Sequence, residues 1–431
     1  MKHTPRSIAL HIIEKVLASR GLTVKEQLTD AFSAHELPPR DKALATELAY
    51  GVLRNLTMLD WHIARCSDYG TIKRPVNHIL RLGAYQLLCM DKVPAYAAIN
   101  ESVQMAKRTS AKSAGFVNAV LRKIQGRRDR QVPESAFPGR TGYLAARYSF
   151  PEWMIRRWEL QLGGSDLEAF CAASNERPPL SVRVNLLRVR EDDFKKLLEE
   201  RGVAYERGAH PLVLTLRSSV YAAELSDIFD KGYFFVQDAS TVRIVDLLDP
   251  RPGERVLDLC AAPGGKATYC AQLMRNEGLV SAVDCSPARM ALLRENARRL
   301  GTTIVQPRVA DALRMRAESG AAQFDRVLLD APCSNQGVLA KRVEVRWRLL
   351  PADIGRLSAL QLRLLCAAAR FVRPRGVLVY STCSIDSEED ESVVEKFLAA
   401  HPHYSAEKVF KTWPHSDSID GAFAAKLVRS T

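Results

Sequence analysis

The chain has 431 residues, of which 47% are hydrophobic and 26% are charged. This length and balance predict a folded protein of about three domains and exclude an intrinsically disordered chain. The formal net charge is +13, and residues 1–140 contain 22 Lys and Arg against 12 Asp and Glu. Such a basic amino-terminal part is typical of a protein that binds phosphates, although a solvated basic surface gives the same count.

The amino terminus and the cysteines bear on where the protein works. Residues 1–20 are amphipathic and show neither an unbroken apolar core nor a small-residue cleavage site. No run of the sequence approaches the roughly 18 apolar residues that span a bilayer. The nine cysteines form no C-x-x-C pair, which favours reduced thiols over disulfides or a zinc site. We therefore expect a cytoplasmic protein without a metal.

Apolar residues recur at helical spacing from Ser7 to about Ile124, which predicts a bundle of roughly six or seven short helices. Residues 91–101 break one helix and start another, and residues 116–123 close the bundle. At these residues the segment resembles the RNA-binding domain of the transcription antitermination factor NusB. The resemblance implies an all-helical, NusB-like RNA-binding domain over residues 1–126.

The next part of the chain has a mixed pattern. A stretch rich in charges and helix breakers predicts a linker over residues 127–145. We expect a small α+β RNA-binding subdomain over residues 146–231. Its predicted elements are two helices and one strand, at residues 152–162, 191–201 and 180–185. Arg183 and Asn185 fall on one face of that strand, and we expect them to contact an RNA backbone unless the face is simply solvent-exposed.

Strands and helices alternate over residues 232–431. The predicted buried strands are residues 255–259, 279–284, 304–310, 326–330 and 377–381, with a helix at residues 287–300 between two of them. This order predicts an α/β domain built on a doubly wound parallel sheet with right-handed crossovers. Ligands of such sheets bind at the carboxyl ends of the strands.

A loop after the first strand of this domain predicts a ligand site. In Pro263-Gly264-Gly265 the chain turns sharply, and no side chain blocks a ligand from the amino terminus of the following helix. The loop is not G-x-G-x-x-G, so a dinucleotide site is disfavoured.

Two acidic residues follow the next strands. Asp284 ends the second strand and is placed to accept hydrogen bonds from two ribose hydroxyls; the alternative is a helix cap before Pro287, which Ser286 can supply instead. Asp311, after the third strand, either receives an adenine amino group or only keeps the sheet edge soluble. Together these positions have the order found in a methyltransferase that uses S-adenosylmethionine.

Three short segments carry a closer resemblance. Residues 257–266, Asp-Ala-Pro-Cys-Ser at 330–334 and Ser-Thr-Cys-Ser at 381–384 are similar to motifs of the RNA 5-methylcytosine methyltransferases. With the amino-terminal bundle, nearly the whole chain resembles the Sun (Fmu) group of bacterial ribosomal RNA methyltransferases. The resemblance implies a Rossmann-like class I methyltransferase domain over residues 232–431. It assigns cofactor binding to Cys260, Ala261, Ala262, Pro263, Gly264, Gly265, Lys266, Asp284, Asp311 and Asp330.

The same resemblance assigns the chemistry. Cytosine C5 is a poor nucleophile, and a thiolate that adds to C6 makes C5 electron-rich enough to take a methyl group. The family places this nucleophile at Cys383 and gives Cys333 a part in product release, whereas DNA cytosine methyltransferases use the Pro-Cys thiol. Asp330 is expected to bind the flipped cytosine, and Lys266 to lie near the substrate unless it is only a solvated helix lysine.

The remaining cysteines are expected to be buried small hydrophobic residues. They are Cys66, Cys89, Cys171, Cys270, Cys285 and Cys366. Two departures from the family pattern bear on the shape of the active-site loop. Residues 334–337 read Ser-Asn-Gln-Gly where Ser-Gly-Thr-Gly is more usual, and Val343-Glu344 replaces a Pro-acidic pair. Neither removes a reacting group.

The expected activity is therefore methylation of cytosine C5 in 16S ribosomal RNA that is unassembled or partly assembled, by a protein that we expect to be a monomer. One alternative is a non-catalytic RNA-binding factor in ribosome assembly or antitermination. Another is the same methylation on a different RNA, such as tRNA. Methylation of an exocyclic amine is disfavoured because residues 330–333 lack the Asn/Asp-Pro-Pro-aromatic signature.

Overall fold

The structure is a computed structural model, described for residues 4–67, 72–127, 131–217, 222–316 and 323–430, without the side chains of 222–224. The chain divides into two compact units. The first contains Met1–Glu176 and Leu339–Leu349, and the second contains Arg177–Val338 and Leu350–Thr431. Within the described residues, every helix is too short or too polar to cross a bilayer.

The first unit begins with the predicted helical bundle. Its seven helices are α1 (Pro5–Ala18), α2 (Val24–Ala34), α3 (Pro39–Arg54), α4 (Leu56–Ala64), α5 (Arg74–Cys89), α6 (Ala95–Lys107) and α7 (Ala111–Gly126). Thr4 and Thr23 begin the first two helices, and each hydroxyl oxygen accepts the backbone N–H three residues later. The apolar faces meet in one core, with Ile12, Leu48 and Leu121 fully or almost fully buried.

Three further helices of the first unit follow. They are α8 (Arg140–Tyr148), α9 (Glu152–Leu162) and α10 (Gly164–Ala173). The edges of Phe150 and Phe170 pack on Trp158 with ring centroids 5.0 and 4.9 Å away. Helix α9 has the predicted bounds, whereas α8 begins inside the stretch predicted to be a linker.

A segment from much later in the sequence completes the first unit. Leu339–Leu349 contains a one-turn helix, α16 (Val345–Arg348). Val343 is fully buried in the bundle core, where Trp347 packs beside it, and Trp347 Nε1 donates to Leu53 O at 2.7 Å. The substitution of Val343 for the usual proline therefore lies in this core.

The second unit contains a small antiparallel sheet. Its strands are β1 (Leu180–Val184), β2 (Tyr205–Arg207), β3 (Val213–Leu216) and β4 (Phe234–Val236), in the order β2-β3-β1-β4. Helices α11 (Glu191–Glu200) and α12 (Ala222–Asp230) pack on this small sheet. Val182, Phe194 and Ile228 are fully buried between sheet and helices.

The second unit also contains a seven-stranded sheet with the order β10-β11-β9-β8-β5-β6-β7. Its strands are β5 (Arg255–Leu259), β6 (Leu279–Asp284), β7 (Val305–Val309), β8 (Phe324–Asp330), β9 (Val372–Thr382), β10 (Tyr404–Thr412) and β11 (Ala422–Arg429). Strands β5 to β9 are parallel, but β11 is antiparallel to both of its neighbours. The α/β fold and the parallel pairing of the five predicted strands are confirmed, while the antiparallel pairing at this edge was not predicted.

Helices cover both faces of the large sheet. They are α13 (Ala239–Leu248), α14 (Gly265–Leu273), α15 (Pro287–Leu300), α17 (Pro351–Ala369) and α18 (Glu391–Ala400), with the short α19 (Pro414–Asp417) near the end. Val256 faces a core with α13 to α15, and Leu257 faces one with α17 and α18. The strand order reverses between β5 and β8, which opens a crevice at their carboxyl ends.

Candidate active site

The loop after β5 turns tightly against helix α15. Gly264 has a φ of +104° and begins α14, and a Cβ there would lie 2.9 Å from Leu293 Cγ. At Gly265 a Cβ would lie 3.0 Å from a ring carbon of Phe235. Both positions therefore favour glycine, because a Cβ at either one would press on a side chain that packs against the loop.

Asp284 lies beside this loop at the end of β6. Its carboxylate is buried, accepts the Ser286 N–H at 2.9 Å and the Ala262 N–H at 3.3 Å, and lies 3.3 Å from Arg289. Ser286 caps helix α15 by accepting the Arg289 N–H. The helix cap that sequence reasoning held open for Asp284 is therefore supplied by Ser286, and the Asp284 carboxylate is anchored at the sheet edge.

Asp311 follows β7, the strand next to β6. Its side chain is 46% exposed and lies 3.4 Å from Arg314. One carboxylate oxygen also accepts the Leu313 N–H at 3.0 Å. Asp311 is therefore oriented locally but open to solvent and to a ligand.

Asp258, inside β5, was not singled out as a binding residue from the sequence. It is fully buried, and neither carboxyl oxygen has a hydrogen-bond partner within the described residues. Burial, followed by the charge of Asp330, raises the pKa of Asp258 well above its ordinary value. The signals in the sequence were its place in the motif at residues 257–266 and an acid in a mostly apolar strand.

Lys266 and Asp330 form an ion pair at the carboxyl ends of the central strands. Lys266 Nζ lies 2.7 Å from Asp330 Oδ2, and Ser381 Oγ donates to Asp330 Oδ1 at 3.0 Å. Burial lowers the pKa of Lys266, but the charges of Asp330 and Asp258 outweigh it, so the pKa is raised. Lys266 is therefore a charged, largely buried group, and the alternative of a solvated helix lysine is wrong.

The structure brings the two cysteines of the resembling motifs together. Neighbouring strands β8 and β9 pair Asp330 with Ser381, and the sulfurs of Cys333 and Cys383 beyond them are 3.2 Å apart. The hydrogen bond with Cys383 and then burial raise the pKa of Cys333 well above its ordinary value. Cys333 therefore stays a thiol and can donate its S–H to the sulfur of Cys383.

Asn335, one of the departures from the family pattern, contacts this pair. The Cys383 thiol donates to Asn335 Oδ1 at 3.2 Å, and Asn335 Nδ2 donates to Cys333 O at 2.8 Å. Asn335 has a φ of +61°, a left-handed conformation that asparagine tolerates better than most residues. The substitution keeps the turn and adds a polar contact to Cys383.

Arg183 and Asn185 do not form an RNA-binding face. Arg183 is 1% exposed, donates to Gly265 O at 2.8 Å and stacks over the Tyr269 ring. Asn185 is equally buried and donates to Gly232 O at 2.8 Å. The prediction of an RNA contact is wrong because the face of β1 that bears both residues is covered by protein.

The other cysteines only partly follow the expectation of burial. Cys66, Cys171 and Cys270 are buried, and Cys366 is half-buried. Cys89 and Cys285 are exposed, so the expectation is wrong for these two.

The residues around the glycine loop fit a nucleoside ligand. Asp284 ends β6 and Asp311 follows the adjacent strand β7, and carboxylates there can accept hydrogen bonds from hydroxyl and amino groups. Asp258, whose carboxyl oxygens lack a hydrogen-bond partner among the described residues, lies in β5 two residues before the loop. Gly264 and Gly265 allow the loop to pack closely against Leu293 and Phe235.

A sheet of this strand order, with a glycine-containing turn after β5 and acids after the neighbouring strands, defines a class I methyltransferase domain that uses S-adenosylmethionine. Ribosomal RNA small subunit methyltransferase B of Erwinia tasmaniensis is 36% identical, with 98% of each chain covered. A probable enzyme of that name from Bacillus subtilis is 34% identical over 94% of this chain and 90% of its own. The chain belongs to the family of ribosomal RNA small subunit methyltransferase B.

Models of three protein families match successive stretches of the chain. The NusB family matches residues 3–126, a ferredoxin-like domain of RsmF/B-like methyltransferases matches residues 150–222, and the 16S rRNA methyltransferase RsmB/F family matches residues 245–428. The crystal structure of PH0851 is similar over 99% of both chains, with a TM-score of 0.82 and 30% identity. The protein is therefore an RNA methyltransferase with a NusB-like domain, and S-adenosylmethionine is its methyl donor.

Proposed function

We propose that this protein methylates cytosine C5 in 16S ribosomal RNA through a covalent bond between Cys383 and C6 of the base. The observation that carries the proposal is the pair of sulfurs 3.2 Å apart at the ends of β8 and β9. The raised pKa of Cys333 supports a division of labour, because Cys333 stays protonated beside Cys383. Cys383 is therefore assigned as the nucleophile.

The reaction starts when the Cys383 thiolate adds to C6 and breaks the conjugation of the ring. S-adenosylmethionine supplies the methyl group that C5 then takes. Loss of the C5 proton to a base and cleavage of the bond between sulfur and C6 restore the aromatic ring. Cys333 is assigned to this release because its sulfur adjoins the sulfur that must leave.

The ion pair of Lys266 and Asp330 is assigned to the base. Asp330 ends β8 and keeps acceptor capacity beyond its bonds to Lys266 and Ser381, so it can receive a donor group of the flipped cytosine. Lys266 brings a positive charge close to a ring that becomes electron-rich when the thiolate adds. Both groups are held before substrate binds, which favours a fixed orientation of the base.

We assign cofactor binding to the loop after β5 and to the acids around it. The assigned residues are Cys260, Ala261, Ala262, Pro263, Gly264, Gly265, Lys266, Asp284, Asp311 and Asp330. The buried, doubly hydrogen-bonded carboxylate of Asp284 supports a contact to ribose hydroxyls. The exposed carboxylate of Asp311 suits the amino group of adenine.

We further propose that residues 1–126 and 146–231 bind the RNA, joined by residues 127–145, while residues 232–431 carry out the reaction. Exposed basic side chains on and beside α6 and α7 support the first assignment: Lys107, Arg108, Lys112, Arg122, Lys123 and Arg127. The base must leave its stack, so the substrate is RNA that is free or partly assembled. We propose that the reaction takes place in the cytoplasm and that the enzyme is a monomer.

The test is nucleoside mass spectrometry on unmodified 16S RNA incubated with the full-length protein and isotopically labelled S-adenosylmethionine. We expect labelled 5-methylcytosine from the native sequence and from Cys285→Ala, which removes an exposed thiol outside the pair. We expect none from Cys383→Ala. Full methylation by Cys383→Ala would show that the nucleophile is another group.

Denaturing gels test the two thiols separately. With RNA and methyl donor, Cys333→Ala should accumulate a covalent protein–RNA adduct and Cys383→Ala should form none. An absence of adduct from Cys333→Ala would remove the release role. RNA binding without affinity for S-adenosylmethionine would favour a non-catalytic assembly factor, and label in tRNA alone would change the assigned substrate.

A further inference from the structure

Glu389 lies beneath the loops that carry the two thiols, and it is completely buried. One carboxylate oxygen, Oε1, accepts the Ser334 N–H and Gln361 Nε2–H, both at 2.9 Å. The other, Oε2, accepts the Ser384 hydroxyl at 2.6 Å and the Ser334 hydroxyl at 2.5 Å. All four partners are donors, so the carboxylate form is fully hydrogen-bonded.

Each loop is held at the residue that follows its cysteine. Ser334 follows Cys333, and Ser384 follows Cys383. The two serine hydroxyl oxygens are themselves 3.2 Å apart, so a single carboxylate joins the loops that end β8 and β9. We propose that Glu389 is a positioning residue that sets the separation of the Cys333 and Cys383 sulfurs; its importance for methylation rests on the function proposed above.

Further contacts fix the carboxylate itself. Gln361, on α17, donates to Pro332 O at 3.0 Å as well as to Glu389. The Tyr380 hydroxyl, on β9, donates to the main-chain carbonyl of Glu389. Helix α17 thus holds the Glu389 carboxylate and strand β9 holds its main chain. A rigid support of this kind positions reacting groups accurately.

The charge of Glu389 also affects the protonation of Cys333. Burial raises the pKa of Glu389, while hydrogen bonds from Ser334, Ser384 and Gln361 act against that rise. The pKa of Cys333 is raised mainly by its hydrogen bond with Cys383, then by burial and by the charge of Cys383. The charge of Glu389 raises it further. Glu389 therefore helps to keep Cys333 protonated while it sets the position of its loop.

Direct contacts between the two loops remain without Glu389, and they include backbone hydrogen bonds. Gly337 N donates to Cys383 O at 2.9 Å, and Gly421 N donates to Gly337 O at 2.8 Å. A Glu389 variant therefore keeps backbone contacts at the site, which favours a folded protein with less well-placed thiols. A Glu389 variant that folds normally but has misplaced thiols would distinguish a positioning role from a purely structural one.

Oxidative cross-linking measures the placement of the sulfurs directly. Full-length protein, without RNA or methyl donor, is treated with copper phenanthroline, and the disulfide between Cys333 and Cys383 is quantified in peptides by mass spectrometry. Two copper(II) complexes each accept one electron, and the two thiol protons pass to water as the S–S bond forms. We expect the rate to fall about tenfold or more in Glu389→Ala and to recover partly in Glu389→Gln, which retains a carbonyl acceptor.

Glu254→Ala is the matched control. Glu254 pairs with Arg326 at 3.0 Å, at the amino ends of β5 and β8, opposite the thiols. Its loss should leave the cross-linking rate unchanged. A folded Glu389→Ala protein that cross-links at the native rate would overturn the proposal. If Glu389→Ala does not fold, Ser384→Ala and Ser334→Ala each remove one donor and should each slow cross-linking; native rates in both would overturn it equally.

Kinetics connect the placement to methylation. Glu389→Ala should lower kcat about tenfold or more, with little change in KM for RNA or for S-adenosylmethionine, and Glu389→Gln should restore part of it. Native kcat in Glu389→Ala would overturn the proposal. If the native protein methylates no cytosine but its cross-linking still depends on Glu389, the proposed function fails while the positioning role stands.

Discussion

Replacement of Arg346 should strongly destabilise the first unit. Its side chain is fully buried on α16, and none of its partners in the described part of the chain is a carboxylate. It donates instead to Ser174 O at 2.7 Å and to Asn175 Oδ1 at 2.5 Å, and it stacks 4.1 Å from the Phe150 ring centroid. Longer contacts, of 3.1 to 3.4 Å, reach the carbonyls of Arg54, Tyr148 and Ser149.

The magnitude follows from these contacts. Each of the two short hydrogen bonds involves a charged donor and contributes about 1.5–3 kcal/mol. The desolvation of the guanidinium offsets part of this, but Arg346→Ala leaves buried acceptors unpaired and opens a cavity. We expect the free energy of unfolding to fall by about 3–5 kcal/mol, which corresponds to a Tm lower by about 10 °C for a unit of this size.

Differential scanning calorimetry of the full chain tests this. Arg156→Ala is the control in the same unit, because Arg156 is 68% exposed and pairs with Glu152 one turn away. Its Tm should change by about 1 °C or less. Arg346→Lys should fall between the two, since an ammonium cannot reach all the acceptors. A Tm for Arg346→Ala within 1 °C of the native value would refute the reasoning.

Three further results are expected. Asp284→Asn should weaken S-adenosylmethionine binding about tenfold or more by isothermal titration calorimetry, with a smaller effect from the exposed Asp311→Asn. Iodoacetamide should modify Cys333 far more slowly than the exposed Cys285 at pH 7–9, because the raised pKa keeps Cys333 protonated; equal rates by peptide mass spectrometry would contradict this. Burial raises the pKa of Asp390 to about 8, against the lowering effect of Lys411. Between about pH 4 and pH 8, Asp390 therefore carries a proton in the folded state but not in the unfolded state. Its contribution to the free energy of unfolding falls by about 1.4 kcal/mol for each pH unit in that range. Asp390→Asn should reduce the fall in Tm as the pH rises from 5 to 8. An unchanged fall in Tm would show that other groups cause it.

Elements with local signals were predicted well. Strands 255–259 and 279–284 and helix 287–300 have the bounds expected from the sequence. Short, mostly apolar runs mark the strands, and Ser286-Pro287 marks the helix start. The antiparallel edge was missed because most of β10 is exposed and its direction depends on pairing with β11, which no local pattern encodes.

The main error at the site was the failure to predict which polar residues are buried. The alternation of β1 correctly placed Arg183 and Asn185 on one face, but nothing in the sequence shows that this face is covered. Glu389 stands in the acidic run 388–391, which is typical of a solvated surface. Only the fold shows that Glu389 and Asp390 are buried while Glu391 is not. The thiol pair was found because each cysteine follows a strand in a distinctive motif.

The inclusion of Leu339–Leu349 in the first unit has a consequence for biosynthesis. Domains that are continuous in sequence can fold in order as the ribosome releases them, with the amino-terminal one first. Here the core around Val343 and Trp347 cannot close until those residues have been translated, long after the helices that they pack against. A nascent chain stalled before residue 339 should therefore hold an unfinished bundle, and a gene fragment meant to express this unit alone must carry the late segment as well.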